Sequence, residues 1–248
     1  MALLTALGIP AGLYIASIVS LMQWVVFKEV NGLISMGAGF LAISIYTFHR
    51  SSVTVDASVK EHLQSRHLVA LRHRTRCIAL SIVSGILACS VFIAEHALLG
   101  VLPLIGFASI LLYGKPILKA PLRTIPILKP LMVGFGISFF GYCLFQWSFP
   151  PDIVLAFGLI CTADAFLCDV EDIAFDQACG CTTLASKMPH ATRVLTAMFF
   201  YGVAAILLSI DVGVGFLALS IPFFWQRFIN RTYIDVRPVL ILLLAWLA

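Results

Sequence analysis

The sequence PPDIVLAFGLICTADAFLCDVEDIAFDQACGCTTL, residues 150–184, joins a long apolar run directly to a cluster of acidic residues. The run over 150–168 is close to the roughly 20 apolar residues that a helix needs to cross a bilayer. A strand of a membrane barrel would instead alternate in polarity over about ten residues. The stretch therefore predicts a membrane-spanning helix that leads into a charged segment.

Eight further segments share this apolar character. The nine segments cover residues 3–27, 31–48, 75–94, 97–113, 126–147, 150–168, 191–209, 212–229 and 236–248. The whole chain is 61% hydrophobic and only 11% charged, whereas soluble domains have about 25% charged residues. We therefore predict an all-α fold, a polytopic membrane helix bundle with about nine transmembrane helices, in which residues 1–248 form a single transmembrane domain.

The basic residues are distributed unevenly between the connections. Of the 16 Lys and Arg residues, 15 lie in or beside the connections that follow the second, fourth, sixth and eighth segments, and only Lys28 does not. The positive-inside rule then predicts that these polar connections and the N-terminus are cytoplasmic and that the C-terminus is on the opposite side. No basic stretch is long enough to form a nucleic-acid-binding module, so no nucleic-acid partner is expected. The oligomeric state is not predicted by any feature of the sequence.

The acidic cluster after the sixth segment consists of Asp169, Asp172 and Asp176. Residues four apart share one face of a continuing helix, and like charges at that spacing repel each other. A divalent cation relieves such repulsion, and Mg²⁺ prefers one or two carboxylates together with waters and substrate phosphates. Asp164 lies within the apolar run itself, where an ionisable residue indicates function by default. The alternative interpretation is an acidic loop in contact with solvent.

A basic segment between the fourth and fifth apolar segments is predicted to lie on the same face of the membrane. It begins at Tyr113 and contains Lys115, Lys119, Arg123 and Lys129 without any acidic residue. Cations opposite a metal-loaded acidic cluster are suited to a polyphosphate group. The alternative interpretation is that these residues only establish the membrane topology.

A family resemblance is carried by the pattern DxxxDxxxGxxTL. It is present here as Asp172, Asp176, Gly180, Thr183 and Leu184, and it resembles the second aspartate-rich motif of the UbiA family of intramembrane prenyltransferases. The order of the segments is also similar to that family, which has nine helices and a Tyr/Lys-rich loop between the fourth and the fifth.

The resemblance implies a Mg²⁺-dependent transfer of an isoprenyl group from an isoprenyl diphosphate to a lipophilic acceptor, within membrane lipids. It implies that Asp172 and Asp176 hold Mg²⁺ with support from Asp169. It also implies that the diphosphate contacts the basic side chains and the nearby tyrosine, which are Lys115, Lys119, Arg123, Lys129, Arg50 and Tyr113.

The first aspartate-rich motif of that family is degenerate in this chain. Aligning its arginine with Arg50 places Ile45, Tyr46 and His49 where the family has Asn, Asp and Asp, and the nearest acidic residue is Asp56. Three interpretations are open. Arg50, His49 and Tyr46 contact the diphosphate directly in a one-metal enzyme, Asp56 reaches the site through an altered loop, or prenyl transfer has been lost.

Two other classes of function compete with prenyl transfer. CDP-alcohol phosphotransferases also carry aspartates beside membrane helices, but here Asp172 is followed by Ile173 where their motif has glycine. The second class is a non-catalytic or functionally diverged UbiA-like membrane protein that binds lipid or a partner. Metal-dependent binding of a diphosphate distinguishes that class from an enzyme.

Overall fold

The computed structural model is predominantly helical over the residues that it describes, which are 2–52, 63–114, 125–178, 180–208, 210–225 and 229–247. No β-strand occurs over these ranges, so the prediction of an all-α fold is confirmed. The helices are α1 (Ala2–Ala6), α2 (Ile9–Phe27), α3 (Gly32–Ser51), α4 (Ser65–Arg72), α5 (Arg74–Glu95), α6 (Leu102–Gly114), α7 (Leu128–Leu144), α8 (Pro151–Ala178), α9 (His190–Leu207), α10 (Ile210–Ala218) and α11 (Arg231–Leu247). Short 3-10 helices occur at Ala97–Val101, Ala185–Lys187 and Ile221–Phe224.

Five of these helices are long and apolar enough to cross a membrane. In the part of the chain that the structure describes, they are Ile9–Phe27, Gly32–Ser51, Arg74–Glu95, Pro151–Gln177 and His190–Leu207. Shorter apolar helices cover Ala97–Ser109, Leu128–Leu144 and Val212–Phe224. These lengths are compatible with a multi-pass membrane protein, and the number of nine transmembrane helices stays a prediction.

The first apolar segment is interrupted where the sequence predicted one continuous helix. Gly8 has a φ of +69°, in the left-handed region that favours glycine, and it separates α1 from α2. A Cβ at this position would lie 3.1 Å from Oγ1 of Thr47. The helix ends here because the chain turns at a residue that packs closely against α3.

The described residues divide into two compact units, and the boundary between them falls within α2. The first unit contains the described residues of Met1–Ala16 and Asn31–Leu122, and the second contains those of Ser17–Val30 and Arg123–Ala248. The expectation of one domain over residues 1–248 stays a prediction.

The first unit is built on close contacts between helices. A Cβ on Gly12 would lie 2.9 Å from the carbonyl oxygen of Gly39, so only glycine allows α2 to approach α3 this closely. Ser44 on α3 donates its hydroxyl to the Ser81 carbonyl at 2.6 Å, and Ser81 on α5 donates to the Ser44 carbonyl at 2.8 Å. Small residues and paired hydroxyls therefore hold this unit together.

The second unit positions the acidic segment through the antiparallel pair α7 and α8. Near the middle of the pair, Gly134 on α7 has no room for a Cβ because the backbone and hydroxyl of Thr162 lie against it. Further along, Ser138 on α7 donates a hydrogen bond to the carbonyl of Val154 on α8. Because the two helices run in opposite directions, the start of α7 lies beside the end of α8.

Candidate functional site

The acidic segment is the C-terminal end of α8. This helix has 28 residues, about 42 Å at a rise of 1.5 Å per residue, which is longer than a bilayer core of about 30 Å requires. It ends where Cys181 N donates to the carbonyl of Asp176 at 2.8 Å, beside Gly180 with a φ of +71°. The helix therefore continues beyond the predicted segment 150–168 and includes Asp169, Asp172 and Asp176.

Lys129 joins two of these acidic residues. Its Nζ lies 2.9 Å from Oδ1 of Asp169 and 2.6 Å from Oδ2 of Asp176. Asp169 and Asp176 are seven residues apart, so two helical turns bring them to the same side of α8. Lys129 belongs to the first turn of α7. Its ammonium therefore closes the gap between the two carboxylates from the neighbouring helix.

Asp172 has a different cationic neighbour. Its Oδ2 lies 3.1 Å from Nη2 of Arg231, the first residue of α11. The adjacent Glu171 accepts a hydrogen bond from the backbone N–H of Arg231 at 2.9 Å, which satisfies one of the free donors at the start of α11. Asn230 also caps this helix by accepting from Tyr233 N at 2.8 Å. Two acidic side chains of α8 thus hold the start of α11 in place.

A second ionic cluster lies deeper along α8, at Asp164. Arg237 of α11 forms an ion pair with Asp164, and 0% and 4% of the two side chains are exposed. Tyr201 of α9 donates its hydroxyl to the same carboxylate. Arg237 also donates to Ser220 and packs with its Cζ 4.7 Å from the ring centroid of Phe223. An ionised group at membrane depth is costly unless it is paired in this way.

The remaining predicted site residues belong to the first unit or lie outside the described ranges. Tyr46, His49 and Arg50 lie on α3 in the first unit. Arg50 is 3% exposed, has its Cζ 5.4 Å from the ring centroid of Tyr46, and donates a hydrogen bond to the Thr5 carbonyl. Tyr113 belongs to α6, but its side chain is not among those described. The other four, Asp56, Lys115, Lys119 and Arg123, lie outside the described residues.

Sequence reasoning did not select Arg231, Arg237 and Tyr201. A signal existed for Arg237, because it enters an apolar segment and Asp164 is an acid in another apolar segment. Opposite charges inside a membrane are expected to pair with each other. The sequence indicates Arg231 only as one of the cations that establish the membrane topology, and nothing in the sequence distinguishes Tyr201.

The carboxylates at the end of α8 fit Mg²⁺ only in part. They offer oxygen ligands alone, which is the donor set that Mg²⁺ prefers, and Oδ2 of Asp169 is buried without a hydrogen-bond partner among the described residues. However, no group of three or more His, Cys, Asp or Glu side chains within the described ranges is arranged to hold a metal ion. The residues therefore fit an ion bound by one or two carboxylates, with its remaining ligands supplied by water and phosphate.

No protein-family model matches the chain, and no curated protein matches its sequence. The likeness to the UbiA family accordingly rests on the motif of Asp172, Asp176, Gly180, Thr183 and Leu184 and on the order of the apolar segments.

Proposed function

We propose that the chain is a Mg²⁺-dependent intramembrane prenyltransferase, which moves an isoprenyl group from an isoprenyl diphosphate to a lipophilic acceptor. This proposal rests on the arrangement of acidic and basic side chains at the end of α8. There, Asp169, Asp172 and Asp176 lie within 3.1 Å of the cations of Lys129 and Arg231, at the end of an apolar helix. Transfer of an isoprenyl group from a diphosphate requires carboxylates that hold a metal and cations that bind the phosphate oxygens, close together.

Each group of the chain has a part in the proposed reaction. One or two of the carboxylates of Asp169, Asp172 and Asp176 would hold Mg²⁺, which would neutralise the diphosphate as a leaving group. Lys129 and Arg231 would donate hydrogen bonds to phosphate oxygens while the allylic carbon–oxygen bond breaks. The acceptor would then form a bond to the allylic carbon and lose a proton, while the apolar helices keep water away from the cationic carbon.

The proposal includes a membrane arrangement. The nine apolar segments would cross the bilayer, with the N-terminus and the polar connections in the cytoplasm and the C-terminus on the opposite side. The asymmetric distribution of the 16 basic residues supports this orientation. The second unit also supports this orientation. The starts of α7 and α11 lie at the end of α8, so the charged side chains of these three helices are at one end of the unit.

A second candidate is a diverged UbiA-like membrane protein that binds lipid or a partner without catalysis. The observation that favours it is the loss of the first aspartate-rich motif, where Tyr46 and His49 stand at the positions of acidic residues. Arg50, which follows them, is engaged by the Thr5 carbonyl and by the ring of Tyr46.

Turnover in a defined membrane distinguishes the two candidates. The purified protein in lipid nanodiscs is incubated with Mg²⁺, labelled farnesyl or geranylgeranyl diphosphate and a panel of quinol, phenol and glycerophosphate acceptors. We expect a labelled lipid product that Asp172→Asn and Asp176→Asn each abolish and that Asp152→Asn, at the opposite end of α8, does not. If no acceptor and no chain length gives product or metal-dependent binding, the enzyme proposal is wrong.

A further inference from the structure

The ammonium of Lys129 lies between two carboxylates that could hold a divalent cation. It is within 2.9 Å of one oxygen of Asp169 and within 2.6 Å of one oxygen of Asp176. The exposed fraction is 12% for the lysine side chain and 8% for each aspartate. In a site so poorly exposed to water, the interaction between charges is screened much less than at the surface. The lysine therefore competes directly with any metal for these two carboxylates.

Oδ2 of Asp169 is a buried acceptor that Lys129 does not satisfy. The lysine contacts Oδ1 of the same carboxylate, and Oδ2 has no hydrogen-bond partner among the residues that the structure describes. A buried acceptor without a partner costs free energy, and a divalent cation would supply the missing partner.

The lysine is able to leave these carboxylates without unfolding a helix. It lies in the first turn of α7, which starts at Leu128, and its ammonium is at the end of a flexible four-carbon chain. A phosphate oxygen near the end of α8 can accept from the same ammonium. The lysine can thus exchange one anionic partner for another.

We propose that Lys129 is a tethered counter-cation that occupies the Asp169–Asp176 pair at rest and transfers to the diphosphate when a divalent cation takes its place. The inference rests on the proposed function for the identity of the diphosphate. It makes metal binding depend on the substrate, because the two carboxylates are released more readily when a phosphate is present to receive the lysine. By linkage, the substrate likewise binds more tightly when the metal is present.

A purely structural salt bridge gives a different expectation. If Lys129 only fastened α7 to α8, its removal would loosen the end of α8 and would weaken metal and diphosphate binding together. A tethered counter-cation instead predicts changes of opposite sign. Without it, the carboxylates are more available to a metal, but the diphosphate has lost a hydrogen-bond donor.

The experiment measures the two affinities separately on the full chain in nanodiscs. Binding of Mn²⁺ alone is followed by electron paramagnetic resonance, and binding of radiolabelled inorganic pyrophosphate is measured at saturating Mg²⁺. For Lys129→Met we expect about tenfold tighter Mn²⁺ binding and about tenfold weaker pyrophosphate binding, since a unit charge a few ångströms away is worth at least this much in a partly buried site. Lys129→Arg should stay close to the wild type in both.

Lys187→Met is the matched control, because it removes the same charge from an exposed position beyond the end of α8. It should change neither affinity. If Lys129→Met does not fold, Lys129→Gln also removes the positive charge, and it should likewise bind Mn²⁺ more tightly and pyrophosphate more weakly than the wild type.

The two proposals fail in different ways. In one outcome the wild type binds pyrophosphate, but Lys129→Met binds Mn²⁺ no more tightly than the wild type. That outcome overturns the proposal for Lys129 and leaves the proposed function standing. Tighter Mn²⁺ binding by the variant, without pyrophosphate binding by any of the proteins, supports the competition between lysine and metal and contradicts the proposed function.

Discussion

Arg237 and Asp164 are 73 positions apart in the sequence and form an ion pair inside the second unit, with 0% and 4% of their side chains exposed. Arg237 Nη2 also donates to the hydroxyl of Tyr201 at 2.9 Å. The pair joins α11 to α8 at a depth where neither charge is hydrated. Such a pair is weak evidence for stability by itself, but each partner is indispensable to the other.

The first prediction is a strong coupling between these two residues. Arg237→Met leaves a buried carboxylate and Asp164→Leu leaves a buried guanidinium, so each should lower the free energy of unfolding by about 3–5 kcal/mol. The double variant should lose much less than the sum, because no unpaired charge remains. The measurement is unfolding by SDS titration in mixed micelles, and additive losses would contradict the pairing.

The second prediction concerns the crossing of α7 and α8. Gly134 has no room for a Cβ beside Thr162, so Gly134→Ala should destabilise the protein by about 1–3 kcal/mol through overpacking. Gly136 is the matched control, because nothing lies within 4 Å of a Cβ built on it. Gly136→Ala should be neutral or stabilising in the same unfolding assay. Equal losses of stability at Gly134 and Gly136 would contradict the close packing of Gly134 against Thr162.

The third prediction tests the hydroxyl pair of the first unit. Ser44→Ala and Ser81→Ala each remove one of two reciprocal bonds between α3 and α5, so each should cost roughly 0.6 kcal/mol, up to about 1.7. Ser109→Ala serves as a control, since that exposed hydroxyl bonds to Ile105 within its own helix. If Ser109→Ala lowers the free energy of unfolding as much as Ser44→Ala does, the Ser44–Ser81 pair has no special role in joining α3 to α5.

The fourth prediction concerns ligand-dependent stabilisation. Mg²⁺ and farnesyl thiodiphosphate added together should raise the apparent melting temperature of the wild type, because a ligand that binds only the folded state stabilises it. EDTA should remove this increase, and Asp176→Asn should lack it. Asp152→Asn should keep it, since Asp152 lies in the first turn of α8, far from the acidic end. If the melting temperature of Asp176→Asn still rises with these ligands, the Asp176 carboxylate does not belong to the binding site.

The positions of the helices could be predicted from local composition. Each of the nine predicted apolar segments overlaps an observed helix, whereas α4 lies outside all of them. The overlap arises because apolar runs of this length depend on residues close together in the chain. The break at Gly8 could not be predicted in this way. It depends on the proximity of Thr47 on another helix, which the local sequence does not contain.

The sequence predicted which acidic residues belong to the site, but not which cation pairs with each of them. The spacing of Asp169, Asp172 and Asp176 predicted a shared face if the helix continued that far, and the sequence suggested Lys129 as a partner for phosphate. The structure places Lys129 on Asp169 and Asp176 and assigns Arg231 to Asp172. These partners come from three different helices, so no local pattern could have matched each cation to its carboxylate.

The sequence by itself determined that this chain is all-helical, rich in membrane-length apolar segments, and acidic at the end of the helix that follows Pro150. Those properties arise from interactions within a few turns of the chain. Only the tertiary structure decided that Lys129 closes the Asp169–Asp176 pair and that Arg237 neutralises Asp164. A buried charge requires an opposite charge within about 4 Å, and the packing of distant helices determines which residue meets that requirement.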